Sequence, residues 1–268
     1  MRRSSRRSFL KSAGLFIPAS FAIARARGQA LTHADGALLG AVQSVSVSSS
    51  LLTNIAAYWK LDAASGNESD SVGSSTLVDN GTCGSEAGKV GNCRTFDDDV
   101  PEWFSCADNA ALSLGSDTPY TCALWVKPTT GVVSGSEIIA KGATSRTFCE
   151  FILTIRTSDC QFYIGNGSTN INVNGPNLTR DAWSFIVFYH DPDANTIGIS
   201  VNNAAATTTS WSGGTLNDGA GALTVGVGYA GTEFQGSIDE IGYWKRVLSS
   251  DECTTLYNSG NGKTYPFS

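Results

Sequence analysis

The sequence predicts an all-β fold, an antiparallel two-sheet sandwich closed by one short C-terminal helix. Beyond residue 53, short runs of β-branched and aromatic residues alternate with clusters of Gly, Asn, Asp and Ser to the end of the chain. Charged residues make up 16% of the 268 and glycines number 29, a mixture that suits frequent chain reversal, while a 41% apolar fraction is enough to fill a core. Only one segment, close to the C-terminus, carries helix signals.

The chain reads in three parts: residues 1–26, 27–52 and 53–268. The first is a basic stretch (Arg2, Arg3, Arg6, Arg7, Lys11), then an apolar run from Ala13 to Ala24, then the small-x-small triplet Ala24-Arg25-Ala26. That is the order of a cleavable export signal, and the apolar run is too short for a bilayer that needs about 20 residues. Ser5-Arg6-Arg7-Ser8-Phe9-Leu10-Lys11 matches the twin-arginine signal, which exports proteins already folded. An extracytoplasmic location, as periplasmic, surface-attached or secreted protein, is therefore expected. Residues 27–52 are small and without amphipathic pattern, and read as a flexible tether.

Removal of residues 1–26 would take away six basic residues and no acid, leaving a strongly acidic chain. Nucleic acid and anionic membranes are thereby disfavoured, whereas neutral ligands, cations and basic protein surfaces stay open.

Strands are expected at 56–61, 94–96, 120–126, 137–140, 148–156, 161–165, 182–190, 196–202, 222–228 and 237–244. Arg156–Cys160 and Asp191–Asn195, each rich in turn formers, link neighbouring runs as hairpins, and the Pro192 turn accounts for the adjacent His190 and Asp191 without catalysis. Ser249-Ser250-Asp251-Glu252 is a capping box; Leu248, Cys253, Leu256 and Tyr257 supply an apolar stripe, and Gly260 a stop.

Seven cysteines fit an oxidising compartment, and the odd count leaves at least one thiol unpaired. Cys83 and Cys93 flank a Gly-rich stretch and are expected to form a local bridge worth about 2–3 kcal/mol in loop closure. No C-x-x-C occurs, and His33 and His190 are the only histidines, so a zinc site is poorly supported.

The segment from Phe234 to Gly262, containing Ile238-Asp239-Glu240, Arg246-Val247-Leu248-Ser249 and Leu256-Tyr257-Asn258-Ser259-Gly260, resembles the closing strand and helix of laminin G-like jelly-roll domains. Ala57-Tyr58-Trp59-Lys60-Leu61-Asp62, Gly88-Lys89-Val90-Gly91, Phe96-Asp97 and Thr121 to Pro128 follow in the same family order, so the likeness covers residues 53–268. Asp98 stands where that family usually has Gly. The resemblance implies a concanavalin A-like jelly roll with a face or loop ends for ligands, and frequently a structural calcium. It does not select one ligand.

Strict alternation along 237–244 would put Asp239 with Ile241 and Tyr243 on one face and Glu240 with Ile238 and Trp244 on the other. A carboxylate on an apolar row needs a partner, which makes Asp239 the leading Ca²⁺ ligand candidate, with Asp62 and Asp70 as possible companions; backbone amides are the alternative partner. The triple acid Asp97-Asp98-Asp99 reads as a solvated loop. Adjacent acids on opposite faces cannot form the facing carboxylate pair of a glycosidase, and no nucleophile elbow or phosphate loop occurs. No enzymatic activity is expected. Exposed aromatics would carry sugar binding: Trp211, in a polar stretch, heads the candidates, followed by Trp103, Tyr163 and Tyr229. A lectin-like carbohydrate-binding module is the first reading, an extracellular protein-interaction or surface-assembly module the second, and glycoside hydrolysis the last.

Overall fold

The computed structural model describes residues 47–114, 118–229 and 231–268. The expected export signal, and the tether as far as residue 46, lie outside the described residues. The chain folds as two antiparallel sheets packed face to face. One holds β1 (Ile55–Trp59), β3 (Gly84–Ala87), β4 (Asn92–Phe96), β6 (Tyr120–Pro128), β11 (Ser184–Asp191), β12 (Thr196–Val201), β13 (Thr207–Ser210) and β15 (Gly236–Trp244), in the order β13-β12-β11-β6-β15-β4-β3 with β1 also on β15. The other holds β2 (Val78–Asn80), β5 (Trp103–Cys106), β7 (Glu137–Lys141), β8 (Phe151–Ile155), β9 (Asp159–Gly165), β10 (Asn170–Asn177) and β14 (Leu223–Val225), in the order β10-β9-β8-β7-β14-β5-β2.

Alternation builds the core. Tyr120, Cys122, Leu124 and Val126 of β6 point between the sheets and meet Phe151, Leu153, Phe162 and Ile164 of β8 and β9. The other face of β6 is also buried: Ala123 and Trp125 pack with Tyr58, Phe185, Trp244, Leu256 and Phe267. The C-terminal helix α1 (Ser250–Tyr257) and the tail beyond it cover the outside of the eight-stranded sheet, so this strand is a continuous apolar run rather than an alternating one.

The capping box forms as the sequence requires. Glu252 N–H donates to Ser249 Oγ, and Ser249 N–H donates to Glu252 Oε2 at 2.8 Å. The left-handed cap is Asn258 (φ 48°) rather than Gly260, which lies just beyond it. The domain also begins earlier than residue 53. Residues 47–50 are helical, Leu51 is fully buried, and its carbonyl accepts from Trp244 Nε1 at 2.8 Å.

The expected Cys83–Cys93 bridge is absent; all seven cysteines are free thiols. The register supplies the reason. Gly84 pairs with Thr95 and Glu86 with Cys93, so Cys83 falls opposite Phe96, three residues along β4 from Cys93. At about 3.3 Å per residue the two Cα atoms are roughly 10 Å apart, beyond the 7 Å that a disulfide spans. Much of the stretch expected to be a loop is instead the β3–β4 hairpin.

Candidate functional site

The outer faces of the two sheets differ. The eight-stranded sheet is roofed by the helix and C-terminal tail, whereas the seven-stranded sheet carries a band of polar side chains. Directly opposed residues share a face, and the register runs Glu137↔Thr154 (β7–β8), Thr154↔Gln161 (β8–β9) and Gln161↔Asn174 (β9–β10). One transverse row of four polar residues therefore crosses four strands. The next row is Ala140, Ile152, Tyr163 and Asn172. A register shift between Glu137 and Ile139 lets Ile138 and Ile139 both enter the core while Glu137 stays outside with Thr154.

Hydrogen bonds tie the rows together. Gln161 Nε2 donates to Asn174 Oδ1 at 2.6 Å, Asn172 Nδ2 donates to the same oxygen at 3.3 Å, and the Tyr163 hydroxyl donates to Gln161 Oε1. From Asn174, exposed on the edge strand, the row runs inward to Glu137, which is 2% exposed and has Oε2 without a partner. Burial pushes the Glu137 carboxyl up to about 7, against the opposing pull of the Tyr229 amide and the Arg146 charge. Two loops flank this face. Residues 142–149, between β7 and β8, bring the Arg146 guanidinium 4.4 Å over the Tyr163 ring and leave Phe148 half exposed; the segment after β14 brings Tyr229, 39% exposed. The carboxylate of Glu137 lies against Gly228, where any Cβ would collide with it.

The sequence-chosen aromatics separate accordingly. Trp211 is not an accessible platform: it is 4% exposed in the main core, its Nε1 donates to Gly214 O at 2.7 Å, and Gly213 leaves room for its ring. A polar local sequence says nothing of what the chain folds over, and here the indole turns inward. Tyr163 is also buried, beneath Arg146, although it faces outward from the sandwich core. Trp103, half-buried, alternates with core Phe104 and so lies on the outer side of the same sheet, opposite Asn80. Only Tyr229 of the four is exposed, and Phe148, expected to start a strand, joins it. Gln161, Asn172, Asn174 and Glu137 were overlooked as site residues; the alternation Asn170-Ile171-Asn172-Val173-Asn174 is their signature, obscured by the low strand propensity of Asn.

Of the three acids expected to share a cation, Asp239 and Asp62 meet at one turn and Asp70 is bonded elsewhere. Asp239 Oδ2 accepts from the amides of Lys89 (2.7 Å) and Val90 (2.9 Å), and Asp62 Oδ1 from that of Asn92 (2.8 Å), so both brace the β3–β4 turn. Asp70 instead accepts from Tyr58, Val72 and Ser75 amides. Among the described residues no three Asp, Glu, His or Cys side chains are set to hold one ion. Backbone amides satisfy Asp239 Oδ2, while its buried Oδ1 has no hydrogen-bond partner.

Alternation also fails at Glu240. Asp239 pairs with Trp125 and Gly242 with Ala123, which leaves one extra residue on β15, and Glu240 takes a left-handed φ of 52°. Ile238 and Ile241 both face the core, while Asp239 and Glu240 both lie on the outer side of the eight-stranded sheet, contrary to the opposite faces expected of them. Neither opens to solvent. Asp239 is wholly buried, and Glu240 accepts from the Tyr58 hydroxyl, which also donates to Lys263 O in the C-terminal tail. Burial raises Asp239 to about 7 and Glu240 to about 8, each further raised by the other acids nearby.

Residues 105–254 match the family model described as the concanavalin A-like lectin/glucanases superfamily. Among solved structures, the binding domain of Paraclostridial Mosquitocidal Protein 1 is similar with a TM-score of 0.64 at 12% identity, over 78% of this chain and 53% of that one. The botulinum neurotoxin serotype G binding domain gives 0.61 at 13%, over 76% and 50%. Domain 4 of AbnA, a GH43 extracellular arabinanase from Geobacillus stearothermophilus, solved with arabinotriose, gives 0.56 at 16%, over 78% of this chain and 98% of that one. The chain thus spans about half the length of the toxin binding domains and nearly all of the arabinanase domain. No curated protein sequence matches it.

Proposed function

This chain belongs to the concanavalin A-like lectin/glucanases superfamily, and we propose that within it the chain is a non-catalytic carbohydrate-binding module that uses the outer face of the seven-stranded sheet. The observation that carries this reading is the transverse row Glu137–Thr154–Gln161–Asn174, joined by Tyr163 and Asn172 and flanked by exposed Tyr229 and Phe148. Amide side chains present a donor and an acceptor side by side, which matches the paired hydroxyls of a sugar, and an exposed ring offers an apolar surface to its C–H face. The arabinanase domain holds a neutral arabinose oligomer, and a related toxin domain is described through its interaction with two gangliosides, so the architecture serves glycans elsewhere.

Catalysis is disfavoured by geometry. A glycosidase needs two carboxylates facing a cleft, whereas Asp239 and Glu240 share a face but are buried, Asp239 against the Lys89–Val90 turn and Glu240 by Tyr58 and the C-terminal tail, and Glu137 has no second acid across the polar row. The twin-arginine motif at Ser5–Lys11 supports export, which would place the module where extracellular glycans are met.

A glycan array with the purified chain tests this. Binding to at least one glycan should weaken about tenfold or more in Tyr229→Ala and in Asn174→Ala, since each removes an exposed contact worth of order 1–2 kcal/mol. Silence across the array, or bound glycans indifferent to both substitutions, refutes the assignment.

A further inference from the structure

The same face carries a balanced pair of charges, and its consequence rests on the carbohydrate reading above. Arg146 lies over the Tyr163 ring with Nε buried and without a hydrogen-bond partner. Glu137, at the inner end of the polar row, is buried with Oε2 likewise unpartnered. The Arg146 charge acts on Glu137, so the two are within electrostatic reach of one another. Both atoms are buried, so the pair acts on a ligand at this face through charge, and the two charges balance once Glu137 is ionised.

We propose that this site selects neutral glycans and rejects sialylated or uronic-acid glycans, with Glu137 as the residue that determines the specificity. A neutral sugar brings no charge to either member of the pair. A sugar carboxylate drawn to Arg146 would instead sit beside the Glu137 carboxylate in a poorly solvated setting, where like charges juxtaposed cost far more than in water. Arg146 cannot offset both acids. The surplus of acidic over basic residues in the chain, 24 against 18, adds repulsion at longer range.

The charge state of Glu137 supplies a second handle. The groups facing it are Arg146 and Cys149 from the 142–149 connection, and the Tyr229 backbone after β14, with Tyr163 of β9 beneath Arg146. Burial pushes the Cys149 thiol up to about 12 and raises the Tyr163 phenol, which keeps both neutral through the neutral range. Glu137 is thus the member of this group whose charge changes near pH 7, and rejection of acidic glycans should strengthen from pH 6 to pH 8.

The test compares neutral oligosaccharides with matched partners bearing one terminal sialic acid, by titration of the purified chain at pH 6 and 8. The wild type is expected to prefer the neutral member by about tenfold or more at pH 8, and less at pH 6. Glu137→Gln should raise the acidic-to-neutral affinity ratio about tenfold and remove its pH dependence. Arg146→Gln, a loop variant independent of whether Glu137→Gln folds, should lower that ratio. Equal or tighter wild-type binding of the sialylated member, or a ratio unmoved by Glu137→Gln, overturns the charge selection while leaving carbohydrate binding standing. Binding of neither class overturns both.

Discussion

The loop that carries Arg146 and Phe148 is closed at its base by a buried ion pair, and removing one partner should unseat it. Lys141 ends β7 and Glu150 precedes β8; the Glu150 amide donates to Lys141 O at 2.9 Å. Lys141 Nζ donates to Glu150 Oε1 (2.7 Å), Asp108 Oδ1 (2.8 Å) and Gly221 O (2.9 Å), and Glu150 Oε2 accepts from the Leu114 amide at 3.2 Å. Both side chains of the Lys141–Glu150 pair are fully buried. Lys141→Ala strands the Glu150 carboxylate along with Asp108 Oδ1 and Gly221 O, and a buried charge left alone costs about 3–5 kcal/mol. At roughly 2–4 °C per kcal/mol for a domain of this size, the melting temperature should fall by about 6–20 °C. The paired replacement Lys141→Met/Glu150→Leu leaves no stranded charge in the pair and should recover more than half of that loss, because apolar substitutes of similar volume often match a buried pair. Urea unfolding followed by tryptophan fluorescence, run as a double-mutant cycle, measures this. A loss below about 1 kcal/mol for Lys141→Ala, or strict additivity of the two single changes, would refute the stranded-charge argument.

Two further predictions concern residues whose roles the structure reassigns or defines. Trp211→Ala should cost about 3–5 kcal/mol in urea unfolding, as a large core side chain does, rather than act as loss of a ligand platform on a stable fold; an unchanged unfolding midpoint would place the ring back at the surface. Glu252 links the helix cap to Arg246: burial raises its carboxyl, but bonds from both Arg246 Nη atoms at 2.7 Å, from Ser50 Oγ and from the Ser249 amide outweigh it and hold it at about 2. Its folded value lies below its unfolded one, so its contribution is complete above about pH 4.5 and is lost as the pH falls towards 2. Thermal melts from pH 5 to pH 2 should therefore fall less steeply in Glu252→Gln than in the wild type, and parallel curves would contradict this.

How much of the molecule was legible in its sequence can be traced residue by residue. The two-sheet class followed from alternation and turn chemistry, since a strand with one face inward must alternate and a reversal needs residues that turn. The helix start was equally local: Ser249 and Glu252 satisfy each other's backbone within four residues. Short or polar strands were harder. The β3 hairpin arm Gly84–Ala87 and the Asn-rich β10 have little intrinsic strand preference and form because a neighbouring strand supplies their partners.

The site was decided almost wholly in three dimensions. A register is a relation between strands, so the alignment of Glu137, Thr154, Gln161 and Asn174 into one row has no trace in any single segment. Trp211 went inward because the chain around Gly213 folds over it, and Cys83 missed Cys93 because the hairpin pairs them three positions out of step. At Glu240 a single inserted residue overturned an alternation that the surrounding sequence obeys, turning two acids to one side of the sheet. Local chemistry sets which residues can turn, cap or extend; the pairing of distant strands sets which side chains meet, and that pairing minimises the free energy of the whole core rather than of any segment.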